Sequence, residues 1–201
     1  MTSQFDAGLY RWITDLAGRT PQPVDDTVRF FSDYGLGLFA VLMLIVWWRA
    51  RPAGSAAMAA ALAVPFTVVV AFLVNDGVKA VFDEQRPCQT LHTVTVETCP
   101  ALGDWSFPSN HSAIAAAAAV GLLFADRRLG PRLAVPLALL MAASRVWIGV
   151  HYPHDVVVGL FVGALVAWPV SLLAPRAAPA VDRLRATRLR PLVHALRPAA
   201  E

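Results

Sequence analysis

Five stretches of this chain stay apolar for about the length a helix needs to cross a bilayer, roughly 17–25 residues. They run from Thr27 to Trp48, Ser55 to Val74, Phe107 to Phe124, Leu133 to Val150 and Val156 to Leu173. In hydrocarbon a helix satisfies its own backbone polar groups, so the expected fold is all-α: a polytopic membrane helix bundle with five spanning helices. Pro65 and Pro136 lie inside two runs and Pro169 near the end of a third, where kinks rather than breaks are expected. Small residues such as Ala56, Ala57, Ala59, Ala60, Ala113 and Ala115 to Ala119 would let helices approach closely. Composition agrees: 57% of residues are hydrophobic and 15% charged, against roughly a half and a quarter in soluble chains. The 201 residues are expected to form a single domain, 1–201.

Ahead of the first run, Phe5, Leu9, Trp12, Ile13 and Leu16 recur at helical spacing, with Asp6, Arg11 and Asp15 on other faces. That pattern fits an amphipathic helix lying in the interface or re-entering part way, or else an ordinary packing helix. It brings the expected helix count to six. Asp6, Asp15, Asp25 and Asp26 leave no compact apolar core for a cleavable signal, so the first span is expected to direct insertion.

Arginine placement sets the expected orientation. Arg49, Arg51, Arg127, Arg128, Arg132, Arg176, Arg183, Arg185, Arg188, Arg190 and Arg197 fall by parity on one side. The positive-inside rule makes that side cytoplasmic, together with the C-terminus. The Arg-rich tail, 175–201, reads as a topology anchor touching the inner leaflet. These positions account for the net charge of +3 without nucleic acid as a partner. The bilayer is the expected partner.

Three polar clusters interrupt the apolar pattern: Lys79 with Arg86-Pro87, then Pro108-Ser109-Asn110-His111, then Ser144-Arg145 with His151 and Asp155. Such groups are costly near lipid unless they act. Each lies at a helix end, and the topology brings all three to one depth on the extracytoplasmic face. Arg86 and Arg145 offer planar forks for phosphate oxygens, and Lys79 adds a compact charge. Ser109 and its neighbours open the third span, where free N–H groups seat anions. An imidazole at His151 can attack phosphorus, Asp155 can fix its tautomer, and His111 can serve as acid and base. Taken singly, Asp155 also fits a cap of the fifth span, and Arg145 a snorkelling side chain. His154 reads as a neighbour at the site mouth. Asp83, Glu84 and Asp104 either limit anionic headgroups or solvate the loop, and the solvating reading is preferred.

Cys88 and Cys99 flank a loop on the same face, where an oxidising compartment favours pairing; two unlinked thiols are the alternative. His92 has no second ligand at metal spacing. No metal and no cofactor are expected.

The three clusters resemble the signature motifs of the type 2 phosphatidic acid phosphatase superfamily, with Asn110 standing where the middle motif usually has glycine. The resemblance implies a metal-independent membrane lipid phosphatase with catalytic motifs within 79–155. It assigns His151 as nucleophile, Asp155 as orienting partner and His111 as acid/base. Lys79, Arg86, Ser109, Asn110, Ser144 and Arg145 would bind phosphate. Leu16-Ala17-Gly18-Arg19-Thr20-Pro21 and Phe30-Phe31-Ser32-Asp33-Tyr34-Gly35 are similar to the bacitracin-resistance branch of undecaprenyl-diphosphate phosphatases. That likeness implies a polyprenyl diphosphate substrate in the bacterial plasma membrane, recycled for peptidoglycan synthesis. A glycerolipid substrate, phosphatidate or phosphatidylglycerophosphate, is the alternative.

Overall fold

The computed structural model describes residues 6–194. In chain order the helices are α1 (Ala7–Ala17), α2 (Gln22–Tyr34), α3 (Leu36–Ala50), α4 (Ser55–Lys79), α5 (Pro87–Leu91), α6 (Asn110–Ala125), α7 (Val135–Trp147), α8 (Pro153–Leu173), α9 (Ala178–Arg185) and α10 (Arg190–Val193). A π-helical turn at Gly130–Ala134 leads into α7, and a 3₁₀ turn at Ala174–Ala177 joins α8 to α9. No strand occurs among the described residues.

α6 forms the axis, packed against α3, α4, α7 and α8. Its run of buried alanines, Ala113 and Ala115 to Ala119, keeps that axis thin. α8 answers with glycine. A Cβ at Gly163 would sit 2.1 Å from the Ala113 carbonyl oxygen, and one at Gly159 2.5 Å from that of Ser109. Small residues on both sides allow this approach, the usual device where lipid removes the hydrophobic drive between helices. The N-terminal ends of α6 and α8 are thereby held together, and the Ser109 N–H donates to the Asp155 carbonyl at 3.1 Å. Gly163→Val is expected to force the two helices apart, lowering stability by about 1–3 kcal/mol and misplacing Asp155. Thermal unfolding in detergent together with phosphate release would measure both effects.

Among the described residues, two helices are long and apolar enough to cross a membrane, α4 over 25 residues and Pro153–Arg185 over 33. α2 and α3 add a third only as one span bent by 52°. Of the five expected spans, two, or three with the bent pair, are met by helices of that length. α6, at 16 residues, is apolar but shorter, and α7 has 13. The apolar run from Phe107 begins in non-helical chain, because Ser109 is the residue that caps α6. The run from Thr27 is divided at Gly35, where a Cβ would lie 2.4 Å from the Phe31 carbonyl oxygen and 2.9 Å from Met141. α4 and α8 continue through Pro65 and Pro169.

The arginine-rich end carries the larger apolar core, built on Phe39, Leu42, Val46, Met58, Val64, Leu122 and Met141. Val181 and Val193 of the tail join it. The tail docks on the α3–α4 connection. Arg185 donates to the Ser55 hydroxyl and the Ala53 carbonyl, both at 2.9 Å. Trp47 donates to the Leu192 carbonyl at 2.9 Å, and Arg51 to that of Pro191 at 2.7 Å. Residues 195–201, including Arg197, lie outside the described residues, as does Phe5.

α1 sits at the opposite end, against α7. It buries Ala7, Tyr10, Thr14 and Ala17 and presents Leu9, Trp12 and Leu16 outward. Of the stripe expected from the sequence, Leu9, Trp12 and Leu16 are exposed, the orientation an interfacial helix needs, whereas Ile13 packs half-buried against the cluster around Tyr10.

Candidate active site

Gly149 shapes the turn that delivers His151. It follows the end of α7 with φ of +87°, a conformation that favours glycine. A Cβ there would also strike Thr95 at 2.4 Å. The Tyr10 hydroxyl, its pKa pushed up to about 12 chiefly by burial, donates to the Gly149 carbonyl at 2.8 Å. α8 then starts, and Asp155 in its first turn reaches back to accept the Tyr152 N–H at 2.8 Å. The same oxygen, Oδ2, accepts the Ser106 hydroxyl and lies 3.3 Å from His151 Nδ1. Capping the helix and orienting the imidazole are thus done by one atom.

On the far side of the ring, Nε2 lies 3.2 Å from Arg86 Nη1. Arg86 is buried, and its guanidinium is fully directed. Nη1 donates to the Val150 carbonyl at 2.8 Å, Nε to the Asp104 carbonyl at 3.0 Å and Nη2 to the Asp104 carboxylate at 3.0 Å. With Nδ1–H turned to Asp155, Nε2 keeps its lone pair toward the cation.

Burial, and then the charges of Arg86, Arg145, Lys79 and His111, hold the His151 pKa well below the ordinary histidine value. The ring is therefore neutral at physiological pH. Nitrogen-15 shifts of His151 should show a neutral ring with no transition near the usual value of about 6.5. The sign for stability follows. Below that value the unfolded chain takes up the proton first, so stability falls as pH drops toward the depressed folded value.

The other expected residues divide. Lys79, at the end of α4, donates through Nζ to the Trp105 carbonyl at 2.8 Å. Arg145 is buried in α7 and donates to the Ser32 hydroxyl of α2 at 2.9 Å, while its buried Nε meets no acceptor among the described residues. His111 stands in the first turn of α6. Lys79, Arg86, Arg145, His111, His151 and Asp155 are thus brought to one end of the bundle. Ser109 is buried, its hydroxyl accepting that of Ser112 at 3.2 Å. Asn110 is engaged by α4, its Oδ1 accepting from Asn75 at 2.6 Å and its amide donating to Asp76 at 3.4 Å. Ser144 is not part of the group. Its hydroxyl donates to the Met141 carbonyl at 2.8 Å, and it faces an apolar groove with Thr27, Val28 and Phe31.

Several participants escaped the sequence reading. Ser106 is fully buried on Asp155, and its position just ahead of the middle cluster was the available signal. Asp104 pairs with Arg86 rather than solvating the loop. Glu84 pairs with His154 at 3.2 Å, and His154 is braced by Asp6 at 3.0 Å rather than merely neighbouring the mouth. Cys88 and Cys99 form a disulfide beside Arg86.

The sequence profile of the PAP2 superfamily matches residues 60–178. Undecaprenyl-diphosphatase BcrC of Bacillus subtilis is 29% identical over 147 residues, covering 72% of each chain. Decaprenylphosphoryl-5-phosphoribose phosphatase of Mycobacterium tuberculosis is 43% identical over 97 residues, 48% of this chain and 51% of that protein. Among solved structures, LpxE of Aquifex aeolicus superposes with a TM-score of 0.67 at 23% identity, covering 86% of this chain and 99% of that one. The last likeness concerns the fold.

Proposed function

Because this chain belongs to the PAP2 superfamily, we propose that it hydrolyses the terminal phosphate of a polyprenyl diphosphate through a phosphohistidine at His151. The observation that carries this reading is the His151 ring, held between the Asp155 carboxylate at 3.3 Å and the Arg86 guanidinium at 3.2 Å.

In the first step Nε2 attacks the terminal phosphorus. An N–P bond forms, the P–O bond to the bridging oxygen breaks, and His111 gives that oxygen its proton. In the second step His111 takes a proton from water, the water oxygen attacks phosphorus, and the N–P bond breaks to release phosphate. Arg86, Arg145 and Lys79 balance the charge that develops on the phosphoryl oxygens. The unpaired buried Nε of Arg145 is a donor whose desolvation a phosphoryl oxygen would offset. With three fixed cations in place the reaction is read as metal-independent. Relatives named for undecaprenyl diphosphate support the substrate class.

The site is read as facing the outer side of a bacterial plasma membrane, with the C-terminus inside. A disulfide at the site end fits an oxidising compartment. The docked arginines at the opposite end fit the cytoplasmic face.

The 43% identity to a phosphatase named for a decaprenylphosphoryl pentose phosphate favours a second reading, a phosphate monoester on a polyprenyl-phosphoryl sugar. Phosphate release from both polyprenyl substrates, phosphatidate and phosphatidylglycerophosphate, with and without chelator, discriminates. Preference for the polyprenyl diphosphate, insensitive to chelator, is the expected result; a strong preference for a glycerolipid overturns it.

A further inference from the structure

The reaction scheme leaves His154 unused, yet its ring is gripped on several sides. Nδ1 lies 3.0 Å from Asp6 Oδ1, and Nε2 lies 3.2 Å from Glu84 Oε1 and 3.3 Å from Asp155 Oδ1. The His154 backbone N–H donates to Asp6 Oδ2 at 2.7 Å. The Tyr152 ring stacks on the imidazole at 5.3 Å, and Phe107 stands 5.7 Å away. Carboxylate oxygens only accept, so a ring whose two nitrogens both face them carries hydrogen on both and is an imidazolium. An aromatic face beside it suits a cation.

The consequence falls on Asp155, which is fully buried. Its Oδ2 is taken by Ser106 and the Tyr152 N–H and faces His151. Its Oδ1 accepts no hydrogen bond among the described residues, and the charge that faces it is that of the His154 ring, 3.3 Å away. We propose that His154 is a positioning residue: braced by Asp6 and Glu84, it sets its charge against Oδ1 of Asp155 and so keeps ionised and in place the carboxylate that orients His151. This rests on the reading of His151 and Asp155 as nucleophile and orienting partner. Asp6 lies immediately ahead of α1, outside the segment matched by the family profile. The N-terminal helix thereby belongs to the reaction apparatus of this chain.

Loss of one ring proton at alkaline pH removes a contact to Asp6 on one side, or to Glu84 and Asp155 on the other. The test is kcat and KM across pH for the full chain in nanodiscs, on whichever lipid phosphate the wild type turns over fastest. His154→Gln is expected to lower kcat by about tenfold, the scale on which losing an orienting partner acts. Its KM should stay within about twofold, and it should lack the alkaline limb of the wild type. Asp6→Asn is expected to bring that limb to lower pH, and it carries the test alone should His154→Gln fail to fold. Wild-type kcat and an unmoved limb overturn the proposal. So does a limb abolished by chelator, which would mean that a divalent ion held by Glu84, His154 and Asp155 is the agent. His151→Ala run alongside separates the two ideas. Activity surviving there defeats the nucleophile reading, whereas its loss there with an unmoved limb in the other variants defeats only this inference.

Discussion

His151→Ala is expected to lower phosphate release by about 10⁴-fold or more, because removing a nucleophile disables both chemical steps at once. The fold should survive the change. Asp155 Oδ2 keeps the Ser106 hydroxyl and the Tyr152 N–H, and Arg86 keeps the Val150 and Asp104 carbonyls. The turn at Gly149 is likewise held from α1 by Tyr10. Lost turnover with a wild-type unfolding midpoint would place the defect in chemistry. A phosphoryl group trapped on the wild-type protein by acid-free quenching, and missing from the variant, would identify the attacking atom. Turnover unchanged in His151→Ala would remove the nucleophile from the scheme.

Arg86→Lys is the second large effect, expected at about 10²–10³ in kcat. The charge is kept, so a purely coulombic role would predict little change. Geometry argues otherwise. The guanidinium makes contacts in four directions: to two carbonyls, one carboxylate and the His151 ring. An ammonium cannot reproduce a planar fork. The Val150 carbonyl would lose its donor in a buried position, at about 1–3 kcal/mol. The unfolding midpoint should therefore fall together with kcat. Wild-type turnover in the Arg86→Lys variant would show that charge alone matters at this position.

Much of the site could be read in the chain because its members sit at helix ends, where an apolar pattern makes any polar residue conspicuous. Lys79, Arg86, His111, Arg145, His151 and Asp155 were found this way. Their partners were not, since partnership depends on approach between distant segments. Ser32 reaches Arg145 from α2, Ser106 reaches Asp155 from the long loop, and Asp6 reaches His154 from the start of the chain. No local spacing encodes such meetings. Ser144 shows the same limit: its neighbour Arg145 is turned to Ser32, but on a helix the adjacent residue points elsewhere, and its hydroxyl returns to Met141. The bounds of the spans were less legible, because hydropathy registers apolar side chains and not where helical geometry stops, as at Gly35 and Ser109.

The docking of the tail bears on how the protein can be cut and expressed. Homology draws a unit from 60 to 178, but Val181 and Val193 help to close the core around Met58. Arg185 also ties Ala53 and Ser55 in place. A fragment trimmed to the homology boundary would bare one apolar flank to water and forfeit the Tyr10 clasp at the other end. The shortest autonomous piece of this chain is therefore expected to be longer than its recognisable signature, at both extremities.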